Sequence, residues 1–151
     1  MPAFTFKQAV EATPEIAMCF RTGLSAFGRY RNKVEVRDIN LIQGSVEIDE
    51  CTKYLYPNDN RWDYTFAYNS EVYFVEVHSA NSGEVRAVIL KFKWLRQWLN
   101  KKAPEINKLK AKSRTPYYWV QSKNFQIPKN TPQYRMAVKV GLMPIPKLVL
   151  E

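Results

Sequence analysis

The chain has 151 residues, of which 46% are hydrophobic and 14% aromatic, and it carries a net charge of +9. This is enough chain for one domain with a sizeable core, and the composition excludes a disordered polypeptide. No apolar run reaches eighteen residues, so no membrane span is expected, and residues 1–15 lack the basic start and apolar stretch of a secretory signal, so a cytoplasmic protein is expected.

Thr13-Pro14-Glu15 reads as a helix start, with Thr as N-cap, Pro in the first turn and Glu complementing the dipole. Ile16, Met18, Cys19, Phe20, Leu24 and Phe27 follow at loosely helical spacing, and Gly28 is a stop signal. With an earlier turn or two over residues 4–11, the pattern predicts a helical region over residues 6–28. Residues 34–56 read as strands: they alternate in part, Gly44 punctuates them, Val46 and Ile48 point inward, and Glu47 and Asp49 share the polar side. Residues 57–60 (Pro-Asn-Asp-Asn) are a dense turn signal.

Residues 61–78 are the centre of the chain. Two β-rich runs, residues 61–67 and 71–78, flank a polar break at Tyr68-Asn69-Ser70. A two-residue loop at Asn69-Ser70 sets Asp63 opposite Glu76 and Arg61 opposite His78. Alternation then puts these four on one face, and Trp62, Tyr64, Phe66, Tyr73, Val75 and Val77 on the other, as a packing surface. A longer loop would slip the register and move one carboxylate to the far face.

After a small polar loop at residues 79–83, with Ser82 as N-cap, a helix is predicted over residues 84–100. Val85, Val88, Ile89, Phe92, Leu95 and Leu99 form its apolar stripe. Arg86, Lys91, Lys93 and Arg96 lie beside or opposite the stripe, and Trp94 and Trp98 sit at its flank or on the exposed side. Residues 105–114 are a basic helix or loop. Residues 115–127 are strand-like, with Tyr118, Val120, Phe125 and Ile127 between Pro116 and Pro128. Residues 134–142 read as a further strand or a short helix, and the proline-rich tail is extended. There is no repeat, low-complexity run or linker, so residues 1–151 form a single domain.

Charge is divided along the chain. Residues 1–83 hold 8 Lys+Arg against 11 Asp+Glu, and residues 84–151 hold 15 against 3. A basic second half beside an acidic cluster suggests a polyanion, with Arg86, Lys93, Arg96, Lys101 and Lys102 as nucleic-acid-binding candidates. Cys19 and Cys51 sit in no CxxC, and a single His leaves no zinc set, so two buried free thiols in a reducing compartment are expected.

Two carboxylates opposed on neighbouring strands repel each other. A cation, a shared proton or a basic neighbour offsets such a pair. With the carbonyl of Val77, Asp63 and Glu76 offer hard oxygens to an octahedral Mg2+ that keeps several waters, one of them acidified by the ion.

The order helix, antiparallel strands, hairpin, helix, strand accompanies Trp62-Asp63-Tyr64 and, thirteen residues beyond Asp63, Glu76-Val77-His78-Ser79 before an amphipathic helix. Over roughly residues 13–127 this resembles the PD-(D/E)XK nuclease superfamily, which includes restriction endonucleases and Holliday-junction resolvases. The resemblance implies an α+β, restriction endonuclease-like core of α-β-β-β-α-β order. That core is an antiparallel meander and mixed sheet flanked by helices, tending to three α/β/α layers. It further implies Mg2+ or Mn2+ at Asp63, Glu76 and Val77, phosphodiester hydrolysis in DNA in preference to RNA, and a homodimer as in many members. Trp62 stands where the family often has Pro, and His78 where it has its catalytic Lys. Either His78 acts as base, or Lys91 reaches back from the following helix, as a displaced lysine does in some members. Glu11 or Glu15 is a candidate further acid, and Trp94, Trp98, Tyr117 and Trp119 are candidate stacking contacts. Three readings stay open: a metal-dependent nuclease, a catalytically inactive nuclease-fold protein that binds nucleic acid or a protein partner, and an unrelated α+β protein.

Overall fold

The computed structural model describes residues 4–123 and 127–151. Its elements run α1 (Phe6–Glu11), β1 (Val34–Val36), β2 (Ile42–Glu47), α2 (Ile48–Thr52), β3 (Tyr64–Tyr68), β4 (Glu71–His78), α3 (Val85–Lys101), α4 (Pro104–Lys108), β5 (Tyr117–Gln121), α5 (Pro132–Val140), β6 (Pro144–Ile145) and β7 (Leu148–Leu150). Phe125, counted above among the strand formers, lies outside the described residues.

The central hairpin closes in two residues. Asn69 and Ser70 both take positive φ, 51° and 65°. That is the signature of a type I′ turn, whose twist matches the flanking strands. Asn tolerates this backbone well. The Ser70 N–H is held by the Gln43 side chain and the Asn69 N–H by the Leu41 carbonyl. The register that follows pairs Tyr64 with Val75, Thr65 with Phe74 and Phe66 with Tyr73, which is the register expected from a two-residue loop.

The mixed sheet has the order β2-β3-β4-β5-β6. β2, β3 and β4 form an antiparallel meander; β5 runs parallel to β4, and β6 parallel to β5. A parallel neighbour requires a crossover, and α3 supplies it between β4 and β5. The whole expected stripe of α3 is buried, and so is Trp98. One face of the sheet packs Ala67, Val72 and Phe74 under α1, α3, α4 and α5. The other face packs Tyr64, Phe66, Tyr68, Tyr73, Val75 and Val77 against Phe27, Val34, Leu148 and Leu150. Helices thus cover one side. A 3₁₀ segment, Ser25–Lys33, and a two-stranded parallel ribbon of β1 and β7 cover the other.

Several sequence expectations are corrected. The N-terminal region is not one helix. α1 starts in a capping box in which Thr5 and Gln8 each take the other's backbone N–H, and Thr13 returns its hydroxyl to the Ala9 carbonyl instead of capping a new helix. Gly28, at φ 55°, kinks the 3₁₀ segment. The strand expected to continue past Glu47 becomes α2, in which the buried Thr52 hydroxyl bonds the Ile48 carbonyl. Trp62 does not share a face with Tyr64. It precedes β3 and packs with Phe92 beneath α3. Cys19 and Cys51 are not free thiols: α2 carries Cys51 to the segment after α1, and the two form a disulfide. Residues 132–140 are helical, with Thr131 as N-cap, Pro132 in the first turn and Gly141 as a left-handed C-cap. No helix among the described residues is long and apolar enough to cross a membrane.

Candidate functional site

Where β3 begins, the backbone ladder gives way to side-chain bonds. Glu76 Oε1 accepts the Asp63 N–H at 3.0 Å, and Asp63 Oδ2 accepts the Val77 N–H at 3.1 Å. Each acid is thus fixed by a backbone donor of the opposite strand. The register places the two face to face, on the side of the sheet that α3 covers.

Lys91 comes down from α3 between them. Its Nζ lies 2.5 Å from Glu76 Oε2 and 3.5 Å from Asp63 Oδ1. The Glu76 side chain is fully buried, whereas those of Asp63 and Lys91 keep 18% exposure each. The cluster therefore opens to solvent on the Asp63 and Lys91 side. His78, at the end of β4, bridges two acids: Nδ1 is 3.5 Å from Glu76 Oε2, and Nε2 is 3.1 Å from Glu84 Oε2. Its carbonyl accepts the Trp119 indole N–H.

The electrostatics follow from this crowding. Burial, then the Glu76 charge, push the Asp63 carboxyl up to about 8; Lys91 and the Val77 N–H pull it back only in part. Burial works to lower the Lys91 pKa, but the charges of Glu76 and Asp63 together outweigh it and raise it. His78 is raised by its bond to Glu76, against the cost of burial, with Glu84 adding to the effect. The two opposed carboxylates are thus offset by a basic neighbour, Lys91, while burial and the Glu76 charge favour the protonated form of Asp63.

Asp63, Glu76, His78 and Lys91 are brought together, and Val77 contributes its backbone beside them. Arg61 is not. It turns away to Asp49 at 2.7 Å and to the Tyr56 carbonyl at 2.6 Å, because the chain leaves the ladder before it can face His78. Glu15 is no partner of the acids either: it accepts from the Tyr56 hydroxyl and the Trp98 indole. Glu11 is exposed at the end of α1. Arg86, Lys93, Arg96, Lys101 and Lys102 are all exposed on α3 and at its C-terminal end. Trp98 and Trp119 are core residues, while Trp94 and Tyr117 are partly exposed. Glu84 joins the site through His78 without being among the residues expected from the sequence; its place six residues after His78, at the entry to α3, is the signal that points to it.

Among the described residues no group of three or more His, Cys, Asp or Glu side chains is arranged to hold a metal ion. Two carboxylates converging on one cation are a smaller set, and one that suits Mg2+, which commonly takes one or two protein carboxylates with waters and substrate phosphates. Comparison with known protein families, characterised proteins and solved structures returns no significant match for this chain.

Proposed function

We propose that this chain is a metal-dependent nuclease-like protein that hydrolyses phosphodiester bonds in nucleic acid, DNA in preference to RNA. The observation that carries the reading is the convergence of Asp63, Glu76 and the Lys91 ammonium on one partly exposed point at the start of β3. With β1, α2 and α4 set aside as additions, the succession α1, β2, β3, β4, α3, β5 is compatible with the α-β-β-β-α-β order of the PD-(D/E)XK superfamily. Lys91 supplies from α3 the positive charge that the motif normally places at position 78.

In this reading Asp63 and Glu76, with the Val77 carbonyl, hold Mg2+ or Mn2+. When bound, such an ion acidifies a water and neutralises charge on the scissile phosphate. Burial favours the protonated form of Asp63 in the free protein, so the Asp63 carboxylate would hold the ion in its deprotonated form. Lys91 keeps a fixed positive charge next to the reacting oxygens, and His78 sits at the site's edge between Glu76 and Glu84, whose carboxylates favour its protonated form. The exposed Arg86, Lys93, Arg96, Lys101 and Lys102 attract the phosphate backbone.

A specific observation favours a second reading. Both oxygens of Glu76 are already satisfied, one by a backbone N–H and one by Lys91. Such a closed pair suits a catalytically inactive nuclease-fold protein that binds nucleic acid or a protein partner. Incubation with mixed single-stranded DNA, duplex DNA and RNA in Mg2+ and in Mn2+ separates the two. Cleavage that is lost on chelation and in the Asp63→Ala/Glu76→Ala protein supports the nuclease. Salt-sensitive binding without cleavage in either metal supports the inactive form.

A further inference from the structure

One to two turns of α3 beyond Lys91, the helix carries a second feature that the acids do not use. The indoles of Trp94 and Trp98 stack nearly parallel, 10° apart with centroids at 5.7 Å, and the Tyr56 and Trp94 rings stand at 80° to each other with centroids 5.6 Å apart. Every polar atom of the group is tied. Trp94 Nε1 donates to Asp59 at 3.1 Å, Trp98 Nε1 to Glu15 at 2.9 Å, and the Tyr56 hydroxyl to Glu15 at 2.8 Å. The rings are therefore held in place, although Trp94 stays partly open to solvent. They border a cleft of about 190 Å3 that Asp59, Gln97, Lys101 and Lys102 complete. This is smaller than the roughly 300–1,000 Å3 of sites for drug-sized ligands and suits a single ring system.

A rigid indole with its back against a second ring and two lysines at its rim is the arrangement by which proteins stack one base and hold its phosphate. Asp59 uses one oxygen on Trp94; its other oxygen accepts no hydrogen bond among the described residues and is available to an exocyclic amino group. Lys91 and Trp98 are seven residues apart on α3, roughly 10 Å along the axis and on one side of the helix. The turn bearing Asp59 leads through Arg61 to Asp63, so the cleft and the acids lie along one path. We infer that this cleft takes an unpaired nucleobase stacked on Trp94, with its phosphate on Lys101 and Lys102, and that the preferred ligand is therefore single-stranded nucleic acid. The inference rests on the reading of the chain as a nucleic-acid protein, but not on its being an active nuclease.

The test is binding in chelator, where no cleavage interferes. Fluorescence anisotropy of labelled octamers of deoxythymidine and of uridine is compared with that of a duplex of the same length, for the wild type, Trp94→Ala, Trp94→Phe and Lys101→Ala/Lys102→Ala. A single strand of either sugar should bind more tightly than duplex. Trp94→Ala should weaken it about 5- to 150-fold, in line with the loss of one stacked base. Trp94→Phe should restore most of the loss, and the surface lysine pair, whose removal leaves the core intact, should also weaken binding. Equal affinity for single strand and duplex, or unchanged single-strand affinity in either Trp94→Ala or the lysine variant, overturns the inference. Because cleavage is scored separately, an inactive protein that still binds single strands sinks only the nuclease reading, and an active one indifferent to Trp94 sinks only this one.

Discussion

Lys91, midway along α3, places its ammonium 2.5 Å from a carboxylate oxygen of Glu76 on β4, inside a contact where the Glu76 side chain has no exposure. Removing one member of a buried pair leaves an uncompensated charge and costs about 3–5 kcal/mol, whereas replacing both is often near neutral. Lys91→Met is therefore expected to lower stability by about that amount in urea denaturation. Adding Glu76→Gln should recover most of the loss. An unchanged unfolding midpoint in Lys91→Met would show that the pair does not form.

The same residues carry the proposed chemistry in unequal shares. Asp63→Asn and Glu76→Gln should each reduce metal-dependent cleavage by more than about a hundredfold, since each removes several kcal/mol of charge stabilisation at the phosphate. Lys91→Met, assayed where it remains folded, should fall as far. His78→Ala should lose less, because its ring touches Glu76 only at 3.5 Å and is shared with Glu84. The order of these losses assigns the role of the motif lysine. A His78→Ala loss equal to that of the acids, with Lys91→Met active, would give that role to His78.

How far the sequence could be read depended on whether local chemistry or distant packing decided each element. The hairpin register was legible because a two-residue turn and strict alternation agreed, and α3 because its stripe is long. From these two the meeting of Asp63 with Glu76, and the option that Lys91 reaches back, could be reasoned. The sequence carries the capping signal of Thr5 and Gln8, but the Thr13-Pro14 pair competes with it as a helix start. The alternation of Val46 and Ile48 breaks at the consecutive acids Asp49 and Glu50, and Ile48 and Thr52 are instead buried one helical turn apart in α2. The Cys19–Cys51 bond depends on that helix, so it could not be foreseen from residue spacing. Trp62 shows the same limit: alternation assigns it a face only while the strand lasts, and the strand starts after it.

Acid stability should depend on Glu71. The hydroxyl of Ser113, then the N–H groups of Lys112 and Ser113 and the Tyr73 hydroxyl, outweigh its partial burial and hold its carboxyl down at about 2, from an ordinary 4.5. A depressed carboxyl contributes stability above its unfolded pKa and loses it as pH falls through the folded one. Glu71→Gln should thus be less stable than wild type at pH 7, with the gap closing from about pH 4.5 toward 2. Thermal melts across that range read it out. A constant gap would contradict the assignment.

The disulfide joins residues 32 apart and tethers the segment after α1 to α2. Closing a loop of that size stabilises by about 3–4 kcal/mol in the chain-entropy account. The Cys19→Ser/Cys51→Ser protein should lose about that much in urea denaturation, and reductant should shift the wild type to match it. Identical wild-type curves with and without reductant would contradict a closed bond.

The most direct measurement for the account as a whole is anomalous diffraction at the manganese edge from crystals soaked in Mn2+. The expected result is a peak in contact with both Asp63 and Glu76, with the Lys91 ammonium moved aside from its place between them. Density that shows Lys91 still bridging the two acids, and no manganese beside them, would contradict the metal-dependent reading.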